Sequence, residues 1–341
     1  IDYNISKIEG IKSSKIEYIP AKIISGECIK SYSAHSNKVI DIACVNMEYS
    51  NKKKSHLFLS IGYQRSKRGE LSTSLTVDSV NLNSISSNDI TSHRSLQLPS
   101  YNRYLALRSS LPHIPPLISF VNQKGPQLNI EIRGIAFRKK ITPYLISHSI
   151  QKLTKNRDKI AYVAFSEIEQ RLVSVGQKNE IIKIWDLNDD QRKPILLDRL
   201  RNCQSITLSS DGKMIAAVTK RNIQTNSAYL INCIFLDGGR KITLDPKLYR
   251  MPNSKRAMLQ TSSLSMSKIQ CNCIAIGPRN KIIATGHSNN VIVFWDISRK
   301  KILFSLTEHQ REVTAVKFSP DGNLLMSGSS DGTIKIWSLN Y

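Results

Sequence analysis

The chain has 341 residues, 40% of them hydrophobic and 22% charged. That is globular composition with enough apolar material for a sizeable core, which excludes a disordered or fibrous chain. Lys and Arg exceed Asp and Glu by 49 − 26 = 23, an excess that favours polyanions or acidic protein surfaces as neighbours.

Residues 1–25 read as an N-terminal extension, and the first residue, Ile1 rather than Met, fits a fragment or a domain of something longer. Glu27-Cys28-Ile29-Lys30-Ser31-Tyr32 is a short strand candidate. His35-Ser36-Asn37-Lys38-Val39 follows, and then three strand-like runs, Val39 to Val45, Leu57 to Ile61 and Leu71 to Val77. Residues 81–130 are irregular. Tyr104 to Leu107, Leu117 to Val121 and Leu128 to Phe137 alternate like strands, but Pro112, Pro115 and Pro116 interrupt them. Phe137 to Phe165 spans only 28 residues, which fits either a curtailed unit or missing sequence.

From Phe165 onward a period emerges. Phe165-Ser166-Glu167, Leu208-Ser209-Ser210-Asp211-Gly212, Ile276-Gly277-Pro278-Arg279-Asn280 and Phe318-Ser319-Pro320-Asp321-Gly322 each end an apolar run in a turn. Trp185-Asp186, Trp295-Asp296 and Trp337-Ser338 close later runs. Phe165 to Trp185 is 20 residues, Ile276 to Trp295 is 19 and Phe318 to Trp337 is 19, while Trp295 and Trp337 stand 42 apart. Two markers in step are a repeat. The unit starting near Arg201 lacks the Trp, and Leu236-Asp237 is expected in its place. Residues 238–268, polar, basic and Ser-rich, read as an inserted loop.

The last unit, from His309 through Ser327 and Asp331 to Trp337, resembles the WD-repeat family. The resemblance is weaker over residues 158–237 and 270–307 and weakest over 35–153. It implies an all-β fold, a β-propeller of seven blades of four-stranded antiparallel sheets, within one domain over 26–341. The last blade has three strands of its own, so residues 26–32 are expected to pair with the strand ending at Trp337 and close the ring. His309, Ser327, Asp331 and Trp337 are then a buried hydrogen-bond network, in which each supplies what its neighbour lacks. A Ser-His-Asp trio also invites a hydrolase reading. The spacing belongs to the repeat, however, and no nucleophile elbow surrounds Ser327.

The resemblance implies a non-catalytic scaffold that docks protein partners with an acidic segment. Ser330, Arg311, Ser288, Lys178 and Lys38 stand at the matching binding positions. The alternative is a nucleic-acid-associated propeller in RNA processing or chromatin. The basic clusters are Lys52-Lys53-Lys54, Arg65 to Arg68, Arg138-Lys139-Lys140 and Arg299-Lys300-Lys301, and none carries the Gly and aromatic interleaving of an RNA-reading strand. His287 reads as an exposed turn residue. No catalytic residue, metal ligand set or small-molecule cofactor is expected, because there is no CxxC pair and no phosphate-cradling Gly motif. Of the six Cys, Cys44, Cys203 and Cys271 or Cys273 fall in or near expected inner strands and read as small hydrophobes, which suggests a reducing, intracellular setting. No apolar run approaches the roughly 18 residues of a membrane span.

Overall fold

The computed structural model describes residues 25–48, 54–65, 71–80, 90–98, 105–108, 116–122, 128–138, 142–145, 151–156, 158–166, 169–189, 194–220, 229–246, 269–319 and 321–340. Strand β1 (Ser25–Ser33) comes first. Then β2 (Val39–Glu48), β3 (Lys54–Arg65), β4 (Leu71–Val80) and β5 (Ile90–Gln97) form the first blade, a four-stranded antiparallel meander. The second blade holds β6 (Leu105–Arg108), β7 (Leu117–Asn122), β8 (Leu128–Arg138), β9 (Thr142–Leu145) and β10 (Gln151–Asn156). Its third strand is long enough for two short ones to share its outer edge: Ile135 to Arg138 pair with β9, and Leu128 to Ile132 with β10.

The third blade is β11 (Ile160–Phe165), β12 (Arg171–Gly176), β13 (Ile181–Asp186) and β14 (Ile195–Arg199). The fourth is β15 (Cys203–Leu208), β16 (Met214–Lys220), β17 (Tyr229–Phe235) and β18 (Lys241–Leu244). The fifth is β19 (Cys271–Ile276), β20 (Ile282–His287), β21 (Ile292–Asp296) and β22 (Lys301–Leu306). The sixth is β23 (Val313–Phe318), β24 (Leu324–Ser329) and β25 (Thr333–Asn340), with β1 as its outer strand. Gly26 lies opposite Leu339 and Cys28 opposite Trp337. The chain's two ends therefore share one sheet.

Burial explains the strand composition. All six residues of β20 are buried, as are the first six of β16. A strand covered on both faces reads as a continuous apolar run rather than an alternation. The outer strand β18 is covered on one face only, and its residues alternate exposed and buried. The core is divided into six clusters, each lying between two neighbouring blades. Leu59 and Leu107 belong to the first and second, Ile132 and Trp185 to the second and third, Val173 and Ile215 to the third and fourth. Ile231 and Trp295 belong to the fourth and fifth, Phe294 and Trp337 to the fifth and sixth, Ile336 and Phe58 to the sixth and first. The succession of pairs returns to its start. Six blades are seen among the described residues, each packed against its neighbour, and the expected seventh is not among them.

Within residues 81–130 the three strand candidates are β6, β7 and β8, and Ile90–Gln97 adds β5, which the sequence did not suggest. Within 238–268, expected to be a loop, Lys241 to Leu244 are the outer strand of the fourth blade. Residues 247–268 lie outside the described residues, as does the extension 1–24. No helix among the described residues is long and apolar enough to cross a membrane.

Candidate docking face

Antiparallel meanders give the molecule two faces. On the entry face each innermost strand begins, and the turn between the second and third strands of the blade returns to it. One hydrogen bond recurs there in five blades, between the end of the second strand and the residue just before the first. It runs from the Tyr63 N–H to the Lys38 carbonyl (3.0 Å), Gln177 to Lys159 (2.6 Å), Lys220 to Asn202 (2.9 Å), Ser288 to Gln270 (2.9 Å) and Ser330 to Glu312 (3.0 Å). A bulge follows at the second residue of the innermost strand in the same five blades, between Val39 and Asp41, Ile160 and Tyr162, Cys203 and Ser205, Cys271 and Cys273, and Val313 and Ala315. A bulge bends a strand and re-aims a side chain. Ile40, Gln204, Asn272 and Thr314, all at bulges, line a central cavity of about 310 Å³ bounded by all six innermost strands. Asp41 spans two of those strands, since its Oδ2 accepts the Leu107 N–H at 2.7 Å.

All five residues singled out as docking positions lie on the entry face. Lys38 and Arg311 precede innermost strands, and Lys178, Ser288 and Ser330 sit in the returning turns. Lys38, Lys178 and Arg311 are exposed, and Ser288 and Ser330 are half-buried. The turns are held by side chains as well as backbone. Asp158 Oδ2 accepts the N–H groups of Lys178 and Asn179, each at 2.8 Å. Ser288 Oγ accepts the Gln270 N–H at 3.0 Å, and the Asn290 amide reaches the Gln310 carbonyl of the next blade at 3.0 Å.

Behind that face in the sixth blade lies the polar network. Trp337 Nε1–H donates to Ser327 Oγ at 2.8 Å, and Ser327 Oγ meets His309 Nε2 at 2.7 Å. Thr333, which the sequence reading did not single out, stands between the other two: its Oγ1 lies 3.3 Å from His309 Nδ1 and donates to Asp331 Oδ1 at 2.6 Å. The carboxylate only accepts, so the donors line up toward it. The chain runs from indole to serine to the imidazole Nε2, then from Nδ1–H through the threonine to Asp331. Burial pushes the His309 pKa down to about 4, against the opposing pull of Asp331. Burial also raises Asp331, but hydrogen bonds from Thr333 outweigh it and hold the carboxyl below its usual range. A neutral imidazole with Ser327 fully buried is a cross-brace, with no room for a substrate at the hydroxyl.

The other blades carry edited versions. In the third, Trp185 Nε1–H donates to Ser174 Oγ at 2.9 Å. In the fifth, Trp295 Nε1–H donates to Thr285 Oγ1 at 2.8 Å, and that hydroxyl meets His287 Nε2 at 2.9 Å. His287 is 2% exposed. It is therefore not a surface turn residue: a histidine from the second strand fills the role that His309 fills from ahead of the first. Burial takes its pKa down to about 4. In the first blade, His35 Nε2 meets Ser60 Oγ at 3.0 Å and Ser60 meets Thr76 at 2.5 Å, a hydroxyl relay in place of the indole. The strand register puts Asp78 at the Trp position there, opposite Phe58 as Trp337 is opposite Leu325. In the fourth blade it is Ile234, opposite Ile215, and not Leu236. Ala217 stands at the serine position, so donor and acceptor are absent together.

Cys28, Cys203, Cys233, Cys271 and Cys273 are free thiols. Burial pushes Cys203 and Cys273 up to about 12, which keeps them protonated. Among the described residues no group of three His, Cys, Asp or Glu is placed to hold a metal.

Residues 261–296 and 300–338 match the family model described as WD domain, G-beta repeat. Periodic tryptophan protein 2 homolog of Schizosaccharomyces pombe is 34% identical over 74 residues, 21% of this chain and 9% of its own. Striatin-4 of Homo sapiens is 27% identical over 198 residues, 58% of this chain and 24% of its own. Pre-rRNA-processing protein IPI3 of Mycosarcoma maydis is 39% identical over 67 residues, 20% of this chain and 11% of its own. The matched stretches span a quarter or less of the length of these relatives.

Proposed function

We propose that this chain, a WD-repeat protein, is a non-catalytic docking platform that binds a protein partner on its entry face, in a reducing, intracellular setting. One observation carries the reading. The entry loops and returning turns of five blades share a hydrogen-bonded frame and present Lys38, Lys178 and Arg311 outward from it. A rigid frame loses little entropy when a partner arrives. The three cations suit an acidic docking segment, with Ser288 and Ser330 as hydrogen-bonding neighbours. The Ser327-His309-Asp331 set is buried and braces a blade, which supports the non-catalytic reading.

The test is co-purification from the native host with the wild type and with a Lys38→Glu, Lys178→Glu, Arg311→Glu variant. A partner lost from the variant while its thermal unfolding is unchanged supports the face. Retention of every partner by a folded variant overturns it.

Association with RNA is a second reading. It is favoured by the net charge and by the name of one relative, a pre-rRNA-processing protein.

A further inference from the structure

On the exit face the first strand of a blade turns into the second and the third into the fourth. In the fourth and fifth blades four such turns, residues 209–213, 236–241, 277–281 and 296–301, contain eight Lys or Arg against three Asp. Hydrogen bonds join them into one rim. Leu236 N–H donates to the Lys213 carbonyl at 2.8 Å, Ile297 N–H to the Lys281 carbonyl at 2.9 Å, and the Asn280 amide crosses between blades to Asp211 Oδ2 at 2.8 Å. Lys213, Arg240, Lys281, Arg299, Lys300 and Lys301 are all exposed on it. Two of the three acids are engaged within the rim. Asp211 holds Ser209, the Lys213 N–H and Asn280. Asp296 accepts from Ser298 and the Arg299 N–H. Arg299 lies 3.8 Å from that carboxylate with 64% of its side chain still exposed.

We infer that this rim of the fourth and fifth blades binds the phosphate backbone of RNA. The inference rests on the second reading above and places it on the face opposite the protein-docking one. Two observations select phosphate over an acidic protein. Protein interfaces concentrate their energy in apolar and aromatic anchors and are depleted of Lys. None of the large exposed hydrophobics Ile29, Ile195 and Leu196 lies on this rim, and its six exposed cations crowd two adjacent blades, whereas Lys38, Lys178 and Arg311 are spread over three. Phosphate recognition needs only mobile cations at the surface. The second observation is local. Lys300 has φ 53°, while the equivalent turn of the fourth blade puts Gly239 there at φ 63°. A lysine is held in a conformation that favours glycine, at the tip of a turn where its side chain is exposed.

The test is fluorescence anisotropy with a labelled 20-nucleotide oligouridylate over 50–200 mM KCl. Six phosphate contacts on a single strand give a log–log salt slope near 4, a loss of roughly 300-fold across that range. A variant with Lys213, Arg240, Lys281, Arg299, Lys300 and Lys301 all changed to Ala should bind at least tenfold more weakly with a flatter slope. The entry-face variant Lys38→Ala, Lys178→Ala, Arg311→Ala should bind as the wild type does, which separates this inference from the docking one. Lys300→Gly should keep or raise Tm while weakening RNA binding, which a structural role for the side chain would not produce. Equal losses in the two multiple variants, or a 20-residue oligoglutamate binding more tightly than the RNA, would overturn the assignment.

Discussion

Ser327 is the middle of a three-part bond chain, so its loss strands both neighbours. Ser327→Ala should cost about 1–3 kcal/mol, because Trp337 N–H and His309 Nε2 are both left buried without the hydroxyl. Ser174→Ala should cost less, since Ser174 serves the indole of Trp185. Thermal or urea unfolding of the two variants checks the order. The buried imidazoles set a pH dependence. His309 and His287 are pushed down to about 4 in the fold, against about 6.5 when exposed. The unfolded chain then binds more protons between those values, so stability should be complete above pH 6.5 and fall as pH drops toward 4. Replacing His287 with Gln should flatten that decline, measured as Tm against pH. The four residues of the last blade were legible because their spacing is the repeat's own. His287 was not, because it reaches Thr285 from two residues further along the same strand, β20, and not from ahead of the blade's first strand as His309 does. Thr333 was hidden by its ordinary look as the first residue of a strand.

Among the elements, β20 and β24 approach the next blade closely. A Cβ on Gly328 would sit 2.5 Å from Val39 Cγ1, and one on Gly286 2.5 Å from Val313 Cγ1. Gly328→Ala should therefore destabilise by roughly 1–3 kcal/mol, as overpacking does, and a fall in Tm with an unchanged fold by circular dichroism is the expected result. Strand β1 is held along its length by β25, from Ser25 opposite Asn340 to Ser33 opposite Thr333. Removing residues 1–32 should lower Tm for the whole domain, since it bares the edge of β25 and takes Tyr32 from the cluster between the sixth and first blades. An unchanged Tm would refute this. Strands with apolar runs and a closing Trp declared themselves in the sequence. Short outer strands did not: β18 buries one face only and reads like the loop around it. The third strand of the fourth blade was legible, but its register was not, because nothing in a one-dimensional pattern fixes which residue lies opposite Ile215.

At the level of the molecule, the repeat announced a propeller, while the number of blades depended on residues 81–156, where proline and polar residues blur the period. Six interblade clusters settle that region into the first and second blades. The charged rim of the exit face could not be found by any window along the chain. Asn280 and Asp211 meet there only because consecutive blades bring equivalent turns side by side. The pairing of β1 with β25 has a bearing on biosynthesis. Ser25 and Asn340, joined by a side-chain hydrogen bond, are 315 positions apart. At about 5–20 residues per second, a ribosome makes the partner tens of seconds after the first strand has emerged. Throughout that wait the newborn strand must stay unattached. Its alternating exposed side chains and its kink between Cys28 and Lys30 make it a poor template for a stranger's edge.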